Sequence, residues 1–575
     1  MKFFHVYNDE CYEGLVKNGL INEDTGFKLQ HLFSIPEERK FNKYAAKGSR
    51  LYNLIKEGKY PFYVDRIAGG ATYHHYDFDK ELIEEYKNLL GEWFLGFQLH
   101  ESASNVRASD LTRLKKTYGH NGPYDAKTIR EKIVSTYAKT PDGTYLPNLS
   151  HGTPEEYDGR MFPSGYQEFC TDIERMFKLR MEQTGGMVLP CDSYYLFTKL
   201  QDELGMTTFM PEVGWQIAGM RIAVAISRGI AGYQNKLWGV YYETWIATAA
   251  GNCSMPCYNT DKNNEWYLTQ ETHPDDFTTF DDKGGSSRYL QQRIYYYSLM
   301  SGADYIAEEW GLNCSYTDMT TFELSPYGKL KKEFITDALG VHGVKMERPF
   351  AIVLPKDYQC VQIFNPFENF VPGKHRIEYM RFPLSKSEQD YFGHIEDVLK
   401  FIFGRTDEIY GNEGHVMTNS AFGDWFDIIY EDAPEAILSK YEYLVDVTPD
   451  GSYAKKAGDK YKVIESSDFD KLLADIKTLV KEIFPVYVDS LHWLISTDDK
   501  GRRFVSIFNN EGNEREPVHG DTIDRAADRR VKITFKEAAD AKIFKSGMIP
   551  ASLTRVDEKT YYADIPATSF VILEY

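Results

Sequence analysis

One repeated pattern limits what this chain can fold into. Short apolar runs, free of charge, end abruptly in acidic residues, and each run is followed by a segment of helical character. The stretch from Ser301 to Gly311 shows it most plainly: Tyr305, Ile306 and Ala307 lead straight into Glu308, Glu309 and Trp310. Helical segments precede it (Arg288 to Met300) and follow it (about Ser325 to Gly340), so the connection is a crossover between parallel strands and not a hairpin. Repetition of that unit predicts a (β/α)8 barrel, where chemistry sits at the carboxyl ends of the strands and an acid at such an end reads as catalytic.

Taken in order, the chain repeats the unit. Gly26 to Ser34 alternates weakly and is the first strand expected, followed by a helix over Pro36 to Glu57. Tyr60 to Arg66 is a strand carrying Asp65, and Asp79 to Gly91 a helix with Asp79 as its cap. Phe94 to Leu99 ends in His100 and Glu101. Residues 106–165, rich in Lys, Tyr, Gly and Pro, form a long excursion at a strand end, the place for a lid or a substrate wall. Further strands lead to Asp192, to Glu212, and through Tyr242 to Glu243 and Trp245, with a small-residue helix over Trp215 to Ala231. Any single acid is explained equally well as a helix cap or an arginine partner. Five acidic strand ends, with charge avoided inside the strands, are not.

Composition narrows the partners. With 575 residues the chain exceeds one core, so two or three domains are expected. A net charge of −20 without a basic block repels nucleic acid and anionic membrane surfaces. Aromatic residues make up 15%, including 42 Tyr; such rings stack on sugar faces as well as filling cores. Met1 to Glu10 lacks a signal-peptide apolar run, and the apolar helix near Gly219 to Ile230 carries Arg221 and Arg228 and is too short to span a bilayer. Seven irregularly spaced cysteines fit a reducing compartment, so a cytoplasmic location is expected. Cys253 and Cys257 lack a second pair, and His74–His75 and His100–Glu101 lack an H-E-x-x-H setting. Gly69–Gly70 and Gly284–Gly285 stand outside nucleotide-binding motifs, and no G-x-S-x-G elbow occurs. No cofactor and no metal are expected.

Lys236 to Trp245, then Arg293 to Tyr305 with its Gly302-Ala303-Asp304, then Leu324 to Lys329, resemble the last third of the clan A barrel glycoside hydrolases. The layout is similar to that of the family 42 β-galactosidases, and Glu309-Trp310-Gly311 fits the E-x-G ending of the clan's nucleophile strand. The resemblance implies a retaining, exo-acting glycosidase working with two carboxylates on a carbohydrate substrate. It implies Glu101 as general acid/base and Glu309 as nucleophile if it ends the seventh strand; if Glu309 ends the eighth, Glu243 is the nucleophile. Asp65, His100, Asp192, Glu212 and Glu308 are the expected binding residues, with Tyr242, Trp245 and Trp310 stacking on sugar faces. One departure stands out: the Asn-Glu pair usual on the clan's fourth strand is missing, and Glu101 follows His100 instead.

Beyond Gly343 the pattern changes. Arg348 to Pro355, Trp425 to Tyr430 and Tyr441 to Val447 read as strands between helices, like the flavodoxin-like, amidotransferase-like domain of those β-galactosidases. Without a Gly-x-Cys-x-Gly elbow around Cys360 it is expected to be catalytically silent. Short strands from Val486 onward read as a β-sandwich. The expected division is therefore 1–345 barrel, 346–485 flavodoxin-like and 486–575 sandwich. In the resembling enzymes the middle domain holds subunits together, so a homo-oligomer is expected; Val361 to Val371 is either the subunit contact or a seal of that domain against the barrel. The rival reading is a non-catalytic sugar-binding protein on a degenerate barrel.

Overall fold

The computed structural model describes residues 1–29, 37–67, 73–74, 76–100, 145–146, 166–192, 197–213, 220–244, 286–309, 315–318, 320–338, 340–358, 386–404, 417, 420, 422, 424–516 and 520–575. Eight parallel strands form its first layer: β1 (Lys2–Tyr7), β2 (Thr25–Leu29), β3 (Phe62–Ile67), β4 (Phe94–His100), β5 (Val188–Cys191), β6 (Glu212–Val213), β7 (Gly239–Glu243) and β8 (Tyr305–Glu309). Their order in the sheet is β5-β4-β3-β2-β1-β8-β7-β6. The two ends of that list meet, because Thr207 N donates to Val188 O (2.9 Å), Met210 N to Pro190 O (3.3 Å) and Glu212 N to Asp192 O (3.1 Å). Strand order around the ring thus follows the chain, which defines a (β/α)8 barrel.

Local chemistry explains the units. Asp79 caps the helix Lys80–Leu90 by accepting from Leu82 N at 3.0 Å, as its position before an apolar-periodic segment predicts. Asn8, Ser49 and Ser287 cap the helices Asp9–Lys17, Arg50–Gly58 and Arg288–Met300 in the same way. Strand alternation then sorts side chains: Phe4, Tyr63, Leu95, Leu189, Cys191, Met210, Tyr241, Tyr305 and Ala307 fill the barrel interior as a cluster separate from the helix-facing core. Large and small residues are neighbours there. A Cβ on Gly239 would stand 2.3 Å from the Tyr305 ring, so that position has room for no side chain.

Asp304, the acid of the Gly-Ala-Asp segment, lies at the opposite end of β8 from Glu309. Its Oδ2 accepts from Trp238 N and its own N donates to Trp238 O, both at 2.9 Å. That end of a barrel serves stability, and Asp304 fastens β8 to β7 there.

A second parallel sheet contains β9 (Phe350–Leu354), β10 (Phe426–Tyr430), β11 (Tyr443–Asp446) and β12 (Lys462–Glu465), ordered β10-β9-β11-β12. This is the 2-1-3-4 beginning of the flavodoxin order. Two larger antiparallel sheets follow among the described residues. One joins the short strand Lys345–Met346 to β14 (His492–Thr497), β15 (Arg503–Phe508), β20 (Phe570–Glu574) and β17 (Lys542–Ser546); the other has the order β13 (Val486–Val488), β16 (Arg529–Phe535), β19 (Thr560–Ile565), β18 (Ser552–Arg555). Lys345 and Met346, expected as the last residue of the barrel region and the first of the flavodoxin-like region, pair with Thr497 and Ser496.

Helix Met220–Ala231 is buried along its whole length, which explains its small apolar residues. Its two arginines meet acids: Arg228 Nε donates to Asp427 Oδ1 at 2.6 Å, and Arg221 Nε lies 3.9 Å from Asp424 Oδ2. Tyr297 donates to Asp424 Oδ2 at 2.6 Å, and His492 Nε2 stands 3.6 Å from that same oxygen. Barrel helices, the second parallel sheet and an antiparallel sheet therefore share one buried polar network. Among the described residues, no helix is long and apolar enough to cross a membrane.

Candidate active site at the carboxyl ends of the barrel strands

The counting left open by the sequence is resolved by the ring. Glu309 ends the eighth strand, Glu243 the seventh, Glu212 starts the sixth, and His100 ends the fourth. Register pairs Glu309 with Glu243 directly. Thr244 Oγ1 donates to the Glu309 carbonyl at 2.7 Å, which fastens the two strand ends.

Alternation decides which side chains enter the barrel. Tyr241 and Ala307 belong to the interior cluster, so Glu243 and Glu309, two residues on, share their face. His100 Nε2 lies 3.5 Å from Glu309 Oε1 and 3.7 Å from Glu212 Oε1. The donor atoms of these three residues all lie within 4.8 Å of one another, a spacing at which they can hold a metal ion. On the other side of the mouth, Asp65 Oδ1 accepts from the Tyr241 hydroxyl at 3.4 Å, and Lys28 Nζ stands 3.5 Å from Asp65 Oδ2. The Tyr241 ring connects the two groups: it meets the His100 ring edge-on at 5.6 Å and carries Lys28 Nζ over its face at 5.2 Å. Burial, then the Asp65 carboxylate, hold the Tyr63 hydroxyl well above its ordinary pKa, so below the mouth it remains neutral.

Two expected residues face the wrong way for a site inside the barrel. Glu308 contacts Lys331 Nζ and the Tyr295 hydroxyl, both on helices outside the ring. Tyr242 contacts Ser286 through its hydroxyl and packs its ring 6.2 Å from Tyr295 and 6.5 Å from Tyr327. Both corrections have one cause: adjacent residues on a strand point to opposite faces, so Tyr241 and Glu309 enter the barrel while Tyr242 and Glu308 leave it. Asp192 is buried just beyond β5 and accepts from Gln201 Nε2 at 3.2 Å, on the helix that follows. Glu101, Trp245 and Trp310 lie outside the described residues, as do Cys360 and Val361 to Val371.

Sequence reasoning passed over Lys28 and Tyr241. The signal for Lys28 was present: a lysine between Phe27 and Leu29 puts a charge on the strand face opposite two apolar residues. For Tyr241 the signal was its spacing of two from Glu243.

Fold and site together define a (β/α)8 barrel whose strand ends hold buried carboxylates around a histidine. No family model matches this chain, and no curated protein matches it. Among solved structures it is similar in overall course to a β-galactosidase from Bacillus circulans sp. alkalophilus, at 10% identity over 100% of this chain and 98% of that one, with a TM-score of 0.45. It is also similar to the catalytic module of a family 98 glycoside hydrolase from Streptococcus pneumoniae TIGR4 (8% identity, 100% and 98% covered, TM-score 0.37). An α-L-fucosidase isoenzyme from Paenibacillus thiaminolyticus matches at 10% identity over 90% of this chain and 87% of that one, with a TM-score of 0.36. At these scores no residue of this chain is assigned from the overlap.

Proposed function

We propose that the protein is a glycoside hydrolase that acts on an oligosaccharide or glycoside with two carboxyl groups. The observation that carries this reading is the buried set Asp65, Glu212, Glu243 and Glu309 facing the barrel interior, with Lys28 and His100 as the cationic or ionisable partners among the described residues. Glycosidic cleavage passes through an oxocarbenium-like state, and carboxylates aimed at that growing positive charge stabilise it more than they stabilise the neutral substrate. Burying so many acids is costly unless the charge is used.

In this reading Glu243, on the seventh strand, is the nucleophile, and Glu101, next to His100, protonates the leaving oxygen. Retention and exo action are part of the proposal, by the resemblance to family 42. Asp65, oriented by Tyr241 and Lys28, accepts hydrogen bonds from substrate hydroxyls. The expected homo-oligomer and cytoplasmic location also stand as proposals.

Incubation with a panel of p-nitrophenyl glycosides and plant or mucin oligosaccharides tests the reading. Release of sugar supports it, and the anomer released first, followed by NMR, reports retention. Saturable sugar binding with no product on any member would replace the enzyme with a binding protein.

A further inference from the structure

We propose that His100, Glu212 and Glu309 bind one divalent transition cation of the zinc type, with Nε2 of the histidine and one oxygen of each glutamate as ligands. The site goes beyond the glycosidase reading and does not depend on it. The three residues come from β4, β6 and β8, alternate strands of the barrel, which is how one layer of inward side chains is assembled. Their exposures are 2%, 2% and 3%. The Tyr241 ring against His100 restrains the imidazole plane, so the nitrogen is held facing the two carboxylates.

Geometry favours an ion over an imidazole hydrogen-bonded to the acids. The two nitrogen-to-oxygen distances, 3.5 and 3.7 Å, both exceed the about 2.9 Å of a good N–H···O bond. Ligands placed tetrahedrally at about 2.1 Å from a shared ion stand roughly 3.4 Å from one another. The histidine is already near that separation from both glutamates. The two oxygens lie within 4.8 Å of each other.

Two carboxylates and one imidazole share this buried place. One imidazole and two carboxylates suit zinc among the common ions, and three protein ligands leave a fourth position for water or a ligand hydroxyl. Glu309 then holds the ion, while Glu243, its register partner, remains for the covalent chemistry.

The test is calorimetric titration of the chelator-treated full-length protein with ZnCl2, in parallel with MgCl2, followed by thermal unfolding. The expected result is one zinc ion per chain, a raised Tm with zinc and none with magnesium, and loss of both effects in H100A and E309Q. E309Q keeps side-chain size, so its circular dichroism separates lost ligation from lost folding. D24N serves as the control, because Glu23, Asp24 and His342 form the other trio with ligand spacing among the described residues and are more exposed. Absence of zinc binding below millimolar concentration overturns the proposal, as does binding that survives in folded E309Q or disappears in D24N. These readouts need no substrate: zinc binding without glycosidase activity removes only the proposed function, and glycosidase activity without zinc binding removes only the ion.

Discussion

Glu243 and Glu309 stand side by side in register on the seventh and eighth strands, both turned into the barrel, with Thr244 bonded across to the Glu309 carbonyl. A shift of one residue in either strand would exchange each for a helix-facing neighbour. The pair supplies the sharpest functional prediction. Glu243→Gln is expected to lower kcat by about three orders of magnitude or more while the circular dichroism spectrum is unchanged. Added azide should restore turnover in a nucleophile variant by forming the glycosyl azide. Activity within a few-fold of wild type would remove Glu243 from the chemistry.

Two adjacent tyrosines make a matched comparison. Tyr241→Phe removes the hydroxyl that bonds Asp65 and should alter kcat/KM with little change in Tm. Tyr242→Phe removes a hydroxyl bonded to Ser286 in the helix layer, which should cost about 1 kcal/mol of stability and leave kcat/KM unchanged. The opposite pattern in urea unfolding and kinetics would mean the strand faces are reversed.

Lys28 and Asp65 form an ion pair with side chains only 2% and 4% exposed. Lys28→Met leaves a buried carboxylate without its cation, at a cost of about 3–5 kcal/mol. A double variant, Lys28→Met with Asp65→Leu, should recover much of that stability but not activity. Denaturant midpoints of the three proteins decide it.

Acid should destabilise the fold well above the range where carboxylates titrate. Burial, then nearby Lys331, lowers the His5 pKa to about 3; burial, then Arg221, lowers that of His492 to about 4. Both lie below the unfolded value of about 6.5. Each histidine therefore contributes stability that is fully present above pH 6.5 and is lost as pH falls from there toward 4 and 3. Near pH 5 each gives a slope of about 1.4 kcal/mol per pH unit. Asp424 shifts the same way for the opposite reason: its burial is outweighed by His492, Arg221 and Arg228, so its contribution is lost only at lower pH. The two histidines together should lower the unfolding free energy by about 2 kcal/mol from pH 6 to pH 5 and by less from pH 7 to pH 6, and His492→Asn should reduce the fall by about half. A flat profile over that interval would contradict the burial of both rings.

Gly229 sets how closely helix Met220–Ala231 approaches β10. A Cβ there would stand 2.3 Å from the Ile428 carbonyl oxygen, a backbone atom that cannot swing aside. Helix propensity alone would make Gly229→Ala stabilising by about 1 kcal/mol. Overpacking against backbone predicts a net loss of about 1–3 kcal/mol instead. The sign of the change in Tm distinguishes them.

Much of the barrel was legible in the sequence because its causes are local. Short apolar runs ending in acids mark parallel strands, and caps such as Asp79 mark where helices begin. The acids at 212, 243 and 309 follow from those runs, and separate short runs at 491–496, 503–509 and 569–575 mark strands that the fold places at His492–Thr497, Arg503–Phe508 and Phe570–Glu574. Which neighbour in each pair faces inward was not legible. Glu308 or Glu309, Tyr241 or Tyr242, depends on which strand face the barrel encloses, and that is fixed by pairing between strands hundreds of residues apart. The count of strands behaved likewise, since only ring closure between β5 and β6 shows Glu309 to be eighth. Meetings of distant residues were also decided by tertiary structure: Lys28 with Asp65, Arg228 with Asp427, and His100 with Glu212 and Glu309. Sequence determines residue types and periodicity, whereas the geometry that makes three distant side chains one site exists only once the barrel closes.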